Sequence, residues 1–267
     1  MDCYVHIDKK CNSDEYLEAA SKVSEIRNIV NVKPSRDIFW GGFNMVEATL
    51  DLFKAAYEGG ANDFILVSDD TIPIKNKTFI LGALIELENL VNFVEIGPTH
   101  ALWARYSGRY LLDEPLLNPR RHGGGITSWS ISKSALSRIN EIEMESAAPY
   151  PTFHYGSQWM KIDRCTYSRL LTFLSTERGQ RILRWFKYSA IPDESFIHTI
   201  LAKELNLKSY PQQLVYADFS GSVRPMIYDV EGIRALLPLP HLFARKLGTD
   251  IDIEALASIY KSNAAIT

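Results

Sequence analysis

Phe64-Ile65-Leu66-Val67-Ser68-Asp69-Asp70-Thr71-Ile72-Pro73 is an unbroken apolar run that empties into two acids and a proline. Four apolar residues in a row, two of them β-branched, predict a strand buried on both faces, as in sheets covered by helices on each side. The segment before it reads as a helix. Trp40-Gly41-Gly42 opens it, Val46, Leu50, Phe53 and Tyr57 share one stripe, and Gly59-Gly60 closes it. The chain begins in the same alternation. Cys3-Tyr4-Val5-His6-Ile7 is β-prone and ends at Asp8-Lys9-Lys10. Asn12 to Glu15 has the spacing of a capping box and predicts a helix to about residue 26. Asp37-Ile38-Phe39 is the candidate second strand. Strand and helix in turn predict an α/β protein.

Further along, helices are predicted over about 77–89, 132–145, 163–174, 179–188 and 251–261, with extended segments at 91–96 and 214–216. Asp229 stands as the cap of another helix, running through Leu236. Asn118 to Gly125 reads as a loop, and Ala147 to Pro151 is the best linker candidate, with no shift of composition across it. A single domain is therefore expected over 1–267, with a first half over about 1–125, a second over about 126–250 and a closing helix over 251–261.

The composition narrows the function classes. The 267 residues are 46% hydrophobic, enough for a full core, and carry a net charge of −3. A nucleic-acid protein would usually show a basic excess. The three cysteines, Cys3, Cys11 and Cys165, are odd in number and lack metal-ligand spacing, so reduced thiols of a cytoplasmic protein are expected. No apolar run is long enough to span a bilayer, and no signal peptide is expected.

Candidate chemistry gathers at a few points. Ile191-Pro192-Asp193-Glu194-Ser195-Phe196-Ile197-His198 places two acids behind a proline, with Ile197, Ile200, Leu201 and Leu205 at helical spacing beyond. The plain reading is a helix capped by its own first-turn acids. The chemical reading is that Glu194, with His198 one turn below it, accepts a proton from an incoming hydroxyl. Asp69 and Asp70 end the central strand, where they form either a polar turn or a cation and diphosphate site. Trp103, Arg105 and Arg109 combine aromatic faces with guanidinium forks, which hold sugars and anions or simply lie along a surface. Arg245-Lys246 is a pair of cations at the end of an apolar segment, suited to phosphate or to solvent. His6 and Asp8 fall past the end of the first strand, where open α/β sheets bind ligands, although an ordinary strand histidine fits equally.

Taken in order, Val5-His6-Ile7-Asp8-Lys9-Lys10, Trp40-Gly41-Gly42 with Val46-Glu47-Ala48, Ser68-x-x-x-x-Pro73, Gly156-Ser157-Gln158-Trp159, Pro192-Asp193-Glu194 and Leu242-Phe243-Ala244-Arg245-Lys246 resemble the core-2/I-branching enzyme family (glycosyltransferase family 14). The likeness runs from residue 3 to about residue 250. It implies a GT-A fold, a Rossmann-like mixed sheet flanked by helices, and inverting transfer from a UDP-sugar, N-acetylglucosamine foremost, to a hydroxyl of a glycan or glycolipid acceptor. Carried over by position, the resemblance makes Glu194 the base and Lys246 a donor-diphosphate contact. Arg224 and Arg245 are rivals for the second cation. His6 and Asp8 fall at the uridine end. Asp70, Thr71, Gln158, Trp159, Asp193, Trp103, Arg105 and Arg109 fall at the donor and acceptor pocket. No cofactor or metal is implied. Thr71, however, stands where relatives carry an acid two residues before the proline, which leaves Asp69 and Asp70 open as cation ligands.

The family's vertebrate members carry a membrane anchor and many cysteines; this sequence has three cysteines, and no anchor is expected. The expectation is a bacterial-type cytoplasmic enzyme of surface polysaccharide or glycoconjugate synthesis, at most peripherally associated with the inner face of the membrane. The alternative is a nucleotide-sugar-binding scaffold without turnover. A glycoside hydrolase is disfavoured, because the adjacent acids Asp193 and Glu194 cannot straddle a glycosidic bond.

Overall fold

A computed structural model describes residues 2–21, 28–113, 147–220 and 224–263. In chain order the elements are β1 (Asp2–Val5), α1 (Ser13–Ser21), β2 (Asn28–Asn31), α2 (Asn44–Glu58), β3 (Asp63–Ile65), β4 (Ile72–Pro73), α3 (Lys77–Glu86), β5 (Phe93–Ile96) and α4 (Trp103–Ser107). They continue with β6 (Phe153–Gly156), β7 (Lys161–Asp163), α5 (Arg164–Leu174), α6 (Glu177–Phe186), a 3₁₀ turn (Pro192–Glu194), α7 (Phe196–Lys203), β8 (Val215–Ala217), α8 (Val230–Leu236), β9 (Phe243–Arg245) and α9 (Ile253–Asn263). This is the expected α/β alternation. The expected loop at 118–125 and helix at 132–145 lie outside the described residues.

The chain divides into two compact units. The first comprises Met1–Phe64, Val94–Gly156 and Arg164–Lys208. Here β1 and β2 pair in parallel, with Tyr4 opposite Val30. The second strand is thus Asn28–Asn31, and the expected one at Asp37–Phe39 is a connection. Its carbonyls are spent elsewhere: Asp37 O accepts from Asn44 Nδ2, Ile38 O from Lys10 Nζ and Phe39 O from the Gly42 amide. The core of this unit is a chain of rings. Phe43 packs edge-on against Phe196, Phe196 against Phe186, and Phe186 against Phe153, with centroids 5.6, 5.4 and 5.6 Å apart. These rings anchor α2, α6, β6 and α7 to one another.

The second unit comprises Ile65–Phe93, Ser157–Asp163 and Ser209–Thr267. Its three-stranded sheet has the order β4-β9-β8, with β9 antiparallel to β4 and parallel to β8. Ile72, Ile74, Tyr228, Ile233, Leu236, Ala244 and Leu256 form the core on one side. Asp229 caps α8 as expected, accepting the Gly232 amide at 2.8 Å. Leu90, Leu214, Val215 and Leu242 form a second cluster, against which α3 leans. Lys161 is 1% exposed, and its ammonium donates to the carbonyls of Leu87 and Glu88 just past α3. The opening stretch is less enclosed than its composition predicts. Phe64 and Leu66 are buried, but Val67 is 41% exposed, so the run alternates instead of being covered on both faces.

Candidate active site

In the first unit the decisive local feature is the backbone before Glu194. Ile191 adopts φ 53°, ψ 52°, the left-handed region that a β-branched residue seldom enters. Its amide is held by Gly41 O at 2.8 Å, and its side chain is buried. Gly41 itself has φ 81°, and a Cβ there would lie 3.4 Å from both Ile191 and Leu112. Pro192, Asp193 and Glu194 then make one 3₁₀ turn, and Ser195 (φ −145°) breaks it from α7. The expected continuous helix through the acids is therefore absent. With it goes the expected stacking of His198 one helical turn below Glu194: His198 is fully buried within α7.

The turn sets Glu194 half-buried beside Arg105 of α4, with Oε2 3.3 Å from Nη1. Burial, reinforced by the charge of Asp193 and opposed by Arg105, pushes the Glu194 carboxyl up to about 7. Burial likewise raises Asp193 to about 6, and its Oδ1 is enclosed without a hydrogen-bond partner. The hydroxyl of Tyr106 is also buried and unpartnered. A carboxylate that exchanges its proton near neutrality while reaching solvent is suited to general base work. Trp103 packs against Phe153, centroids 5.2 Å apart. Arg109 stacks on Trp185, its guanidinium carbon 3.2 Å from the ring centre, so it lies on another aromatic surface instead of joining Glu194.

His6 and Asp8 lie just past the carboxyl end of β1. The Arg36 amide donates to His6 Nε2 at 3.1 Å, and Asp8 receives Lys10 through both amide and ammonium. Arg36 bridges Glu47 and Asp51 of α2. Asp113, which sequence reasoning did not select, accepts the amides of Phe43 and Asn44 at the start of α2. Burial raises its carboxyl to about 6. No local spacing announces this cap, because Asp113 is some 70 residues away from the helix it serves.

The second unit holds the cationic group. Asp70 accepts Arg245 through Nε and Nη2 at 2.9 and 3.0 Å, and Lys246 Nζ at 2.7 Å. Ser68 Oγ donates to Asp70 at 2.5 Å and also meets Thr71 Oγ1 at 2.8 Å. Burial alone would raise the Asp70 carboxyl, but hydrogen bonds from Arg245, Lys246 and Ser68 outweigh it and hold the group well below the usual carboxylate range. Arg245 lies over the Trp159 ring at 5.1 Å. Lys246 is the more exposed of the two cations, and it lines an open cavity of about 740 Å³ with Asp69, Asp70 and Tyr228. Gln158 is half-buried beside Trp159, Asp69 is exposed, and Arg224 is exposed outside that cavity lining. Position thus favours Arg245 over Arg224 as the neighbour of Lys246.

The family profile described as Core-2/I-Branching enzyme matches residues 3–235, most of the chain. The chain belongs to the core-2/I-branching enzyme family. As a member it is a glycosyltransferase, with a nucleotide-sugar donor and a glycan acceptor. The matched residues include the Glu194 turn and the Ser68–Pro73 segment. They stop before Arg245 and Lys246, whose place beside Asp70 is a matter of geometry. No curated protein matches the chain.

Proposed function

We propose that this core-2/I-branching family member is an inverting, UDP-sugar-dependent transferase of GT-A type, with N-acetylglucosamine as the leading donor sugar. Its acceptor is a hydroxyl of a glycan or glycolipid in surface polysaccharide or glycoconjugate synthesis. The observation that carries this reading is Glu194: a half-buried carboxylate, raised to about 7, on a turn fixed by tertiary contacts. In one displacement, Glu194 takes the acceptor proton, the acceptor oxygen bonds to the anomeric carbon, and the bond from that carbon to the diphosphate breaks. UDP leaves with the electron pair, and Lys246, steadied by Arg245, meets its charge. His6 and Asp8 serve the uridine end, while Trp103, Trp159, Gln158 and Thr71 serve the sugars.

The metal question turns on Asp70. Both its oxygens are engaged by Arg245 and Lys246. Fixed cations at that carboxylate support metal-independent catalysis. Activity is expected to persist in excess chelator, and complete loss restored by manganese would overturn this assignment.

Glu194→Gln is the direct test of the base. Transfer is expected to fall on the order of a hundredfold to ten-thousandfold, with UDP binding by calorimetry retained. Near-normal turnover would remove Glu194 from the mechanism. A chain that binds donor and neither transfers nor hydrolyses it would instead be a nucleotide-sugar-binding scaffold. No helix among the described residues is long and apolar enough to cross a membrane.

A further inference from the structure

Asp113 reaches across 70 positions of sequence to α2, and it holds more there than a helix end. Its Oδ2 accepts the amides of Phe43 and Asn44 at 2.7 and 3.1 Å. A carboxylate on the first amides of a helix is a charge-assisted contact, favoured by the helix dipole. The chain leaves room for it: a side chain at Gly42 would collide with the Asp113 carboxylate. Glycine and acid therefore fit one another. Together they fix the turn of residues 39–44, which is closed on its other side by the Gly42 amide donating to Phe39 O at 2.9 Å.

That turn supports Glu194 from both directions along the chain. Ahead of the acid, the Ile191 amide donates to Gly41 O at 2.8 Å. Behind it, Phe196 packs edge-on against Phe43. The segment that ends in Asp113 is bound to the same stretch. The Ala190 amide donates to Arg105 O and the Tyr110 amide to Tyr188 O, each at 2.7 Å, and Leu112 closes over Gly41 beside Ile191. Asp113 is thus where two supports are joined, residues 41–43 on one side of the Glu194 turn and residues 105–112 on the other. We propose that Asp113 is a positioning residue for Glu194, clamping the Gly41–Phe43 turn so that the carboxylate keeps its half-buried seat beside Arg105. Its effect on turnover rests on Glu194 being the base; its effect on the Glu194 carboxyl does not.

The test reads the proton affinity of Glu194 itself, by NMR titration of isotope-labelled glutamate carboxyls in the full chain. The Glu194 signal is identified by its loss in Glu194→Gln. In the wild type it is expected to titrate near 7, with burial as the largest cause. The groups facing that carboxyl are Asp193 beside it, Arg105 and Tyr106 of α4, and Tyr155 of β6. Asp113→Leu removes the acceptor and frees the turn, so the carboxyl gains water and its titration is expected to fall by about one pH unit. Gly42→Ala pushes a methyl into the same carboxylate and leaves the acid in place. It is expected to shift the titration the same way, and it carries the measurement if Asp113→Leu does not fold. Asp113→Asn removes the charge but keeps an oxygen for the two amides, and is expected to titrate at nearly the wild-type pH. Turnover of Asp113→Leu is expected to fall about tenfold to a hundredfold with UDP binding, by calorimetry, retained. Circular dichroism confirms that each variant is folded. A Glu194 signal that stays at the wild-type pH in the folded Leu and Ala variants would overturn the proposal and leave Asp113 a cap of α2. So would an Asn variant that shifts as far as the Leu variant. A titration that moves while turnover holds would keep Asp113 as the clamp and remove Glu194 as the base.

Discussion

Glu194 and Asp193 are neighbours whose proton affinities are tied together. Asp193, with one oxygen enclosed and unpaired, raises the Glu194 carboxyl by its charge, whereas Arg105 lowers it. If Glu194 is the base, turnover should rise with pH through about 7, the value at which its proton leaves. Asp193→Asn should move that limb to lower pH, and Arg105→Leu should move it higher. A pH profile of kcat checks both, and a limb that stays in place in both variants would show that neither charge acts on the base. The same group bears on stability. Its folded proton affinity exceeds that of the unfolded chain, so the native state binds more protons between the ordinary glutamate range and about 7, and stability falls as pH rises through that window. Glu194→Gln should therefore gain about 2 kcal/mol relative to wild type between pH 5 and 8, allowing for partial solvent screening. Urea unfolding at the two pH values measures it.

The elements show which signals a sequence carries locally and which it does not. Helices α5, α6 and α8 stand close to where periodicity and caps place them, because the Asp229 cap and the apolar stripes act within a few residues. The turn at residues 192–194 misleads the same reasoning. Proline followed by acids is a good helix start, but the left-handed Ile191 redirects the chain, and Ile191 is held by a hydrogen bond to Gly41 from 150 positions earlier. Asp37–Phe39 fails as a strand because its carbonyls are taken up by the side chains of Asn44 and Lys10 and by the Gly42 amide. Gly41→Ala is the corresponding experiment. A side chain at φ 81° should cost about 1–2 kcal/mol and loosen the seat of Ile191, seen as a lower denaturation midpoint and reduced turnover. In the second unit, Asp70→Asn should cost about 2 kcal/mol by leaving Arg245 and Lys246 without their shared carboxylate. Unlike wild type, that variant should lose little further stability as pH falls below the usual aspartate range.

At the scale of the whole molecule, the motifs name single residues as candidates but not the side chains those residues touch. Glu194 and Lys246 were legible as candidates. That Arg105 pairs with the first, and that Asp70 gathers Arg245 with the second, follows from contacts between distant segments that no spacing encodes. Donor binding adds stability by mass action, about 2.7 kcal/mol at a hundredfold excess over Kd, so UDP should raise the melting temperature of the wild type and raise it less in Lys246→Ala. Lys161 offers a different kind of readout. An amine sealed beneath the carbonyls of Leu87 and Glu88 reacts with an acylating reagent only when that cover lifts, whereas Lys77 and Lys208 on the surface react at once. Its rate of tagging is thus a built-in clock for interior breathing, read by mass spectrometry without altering a single residue.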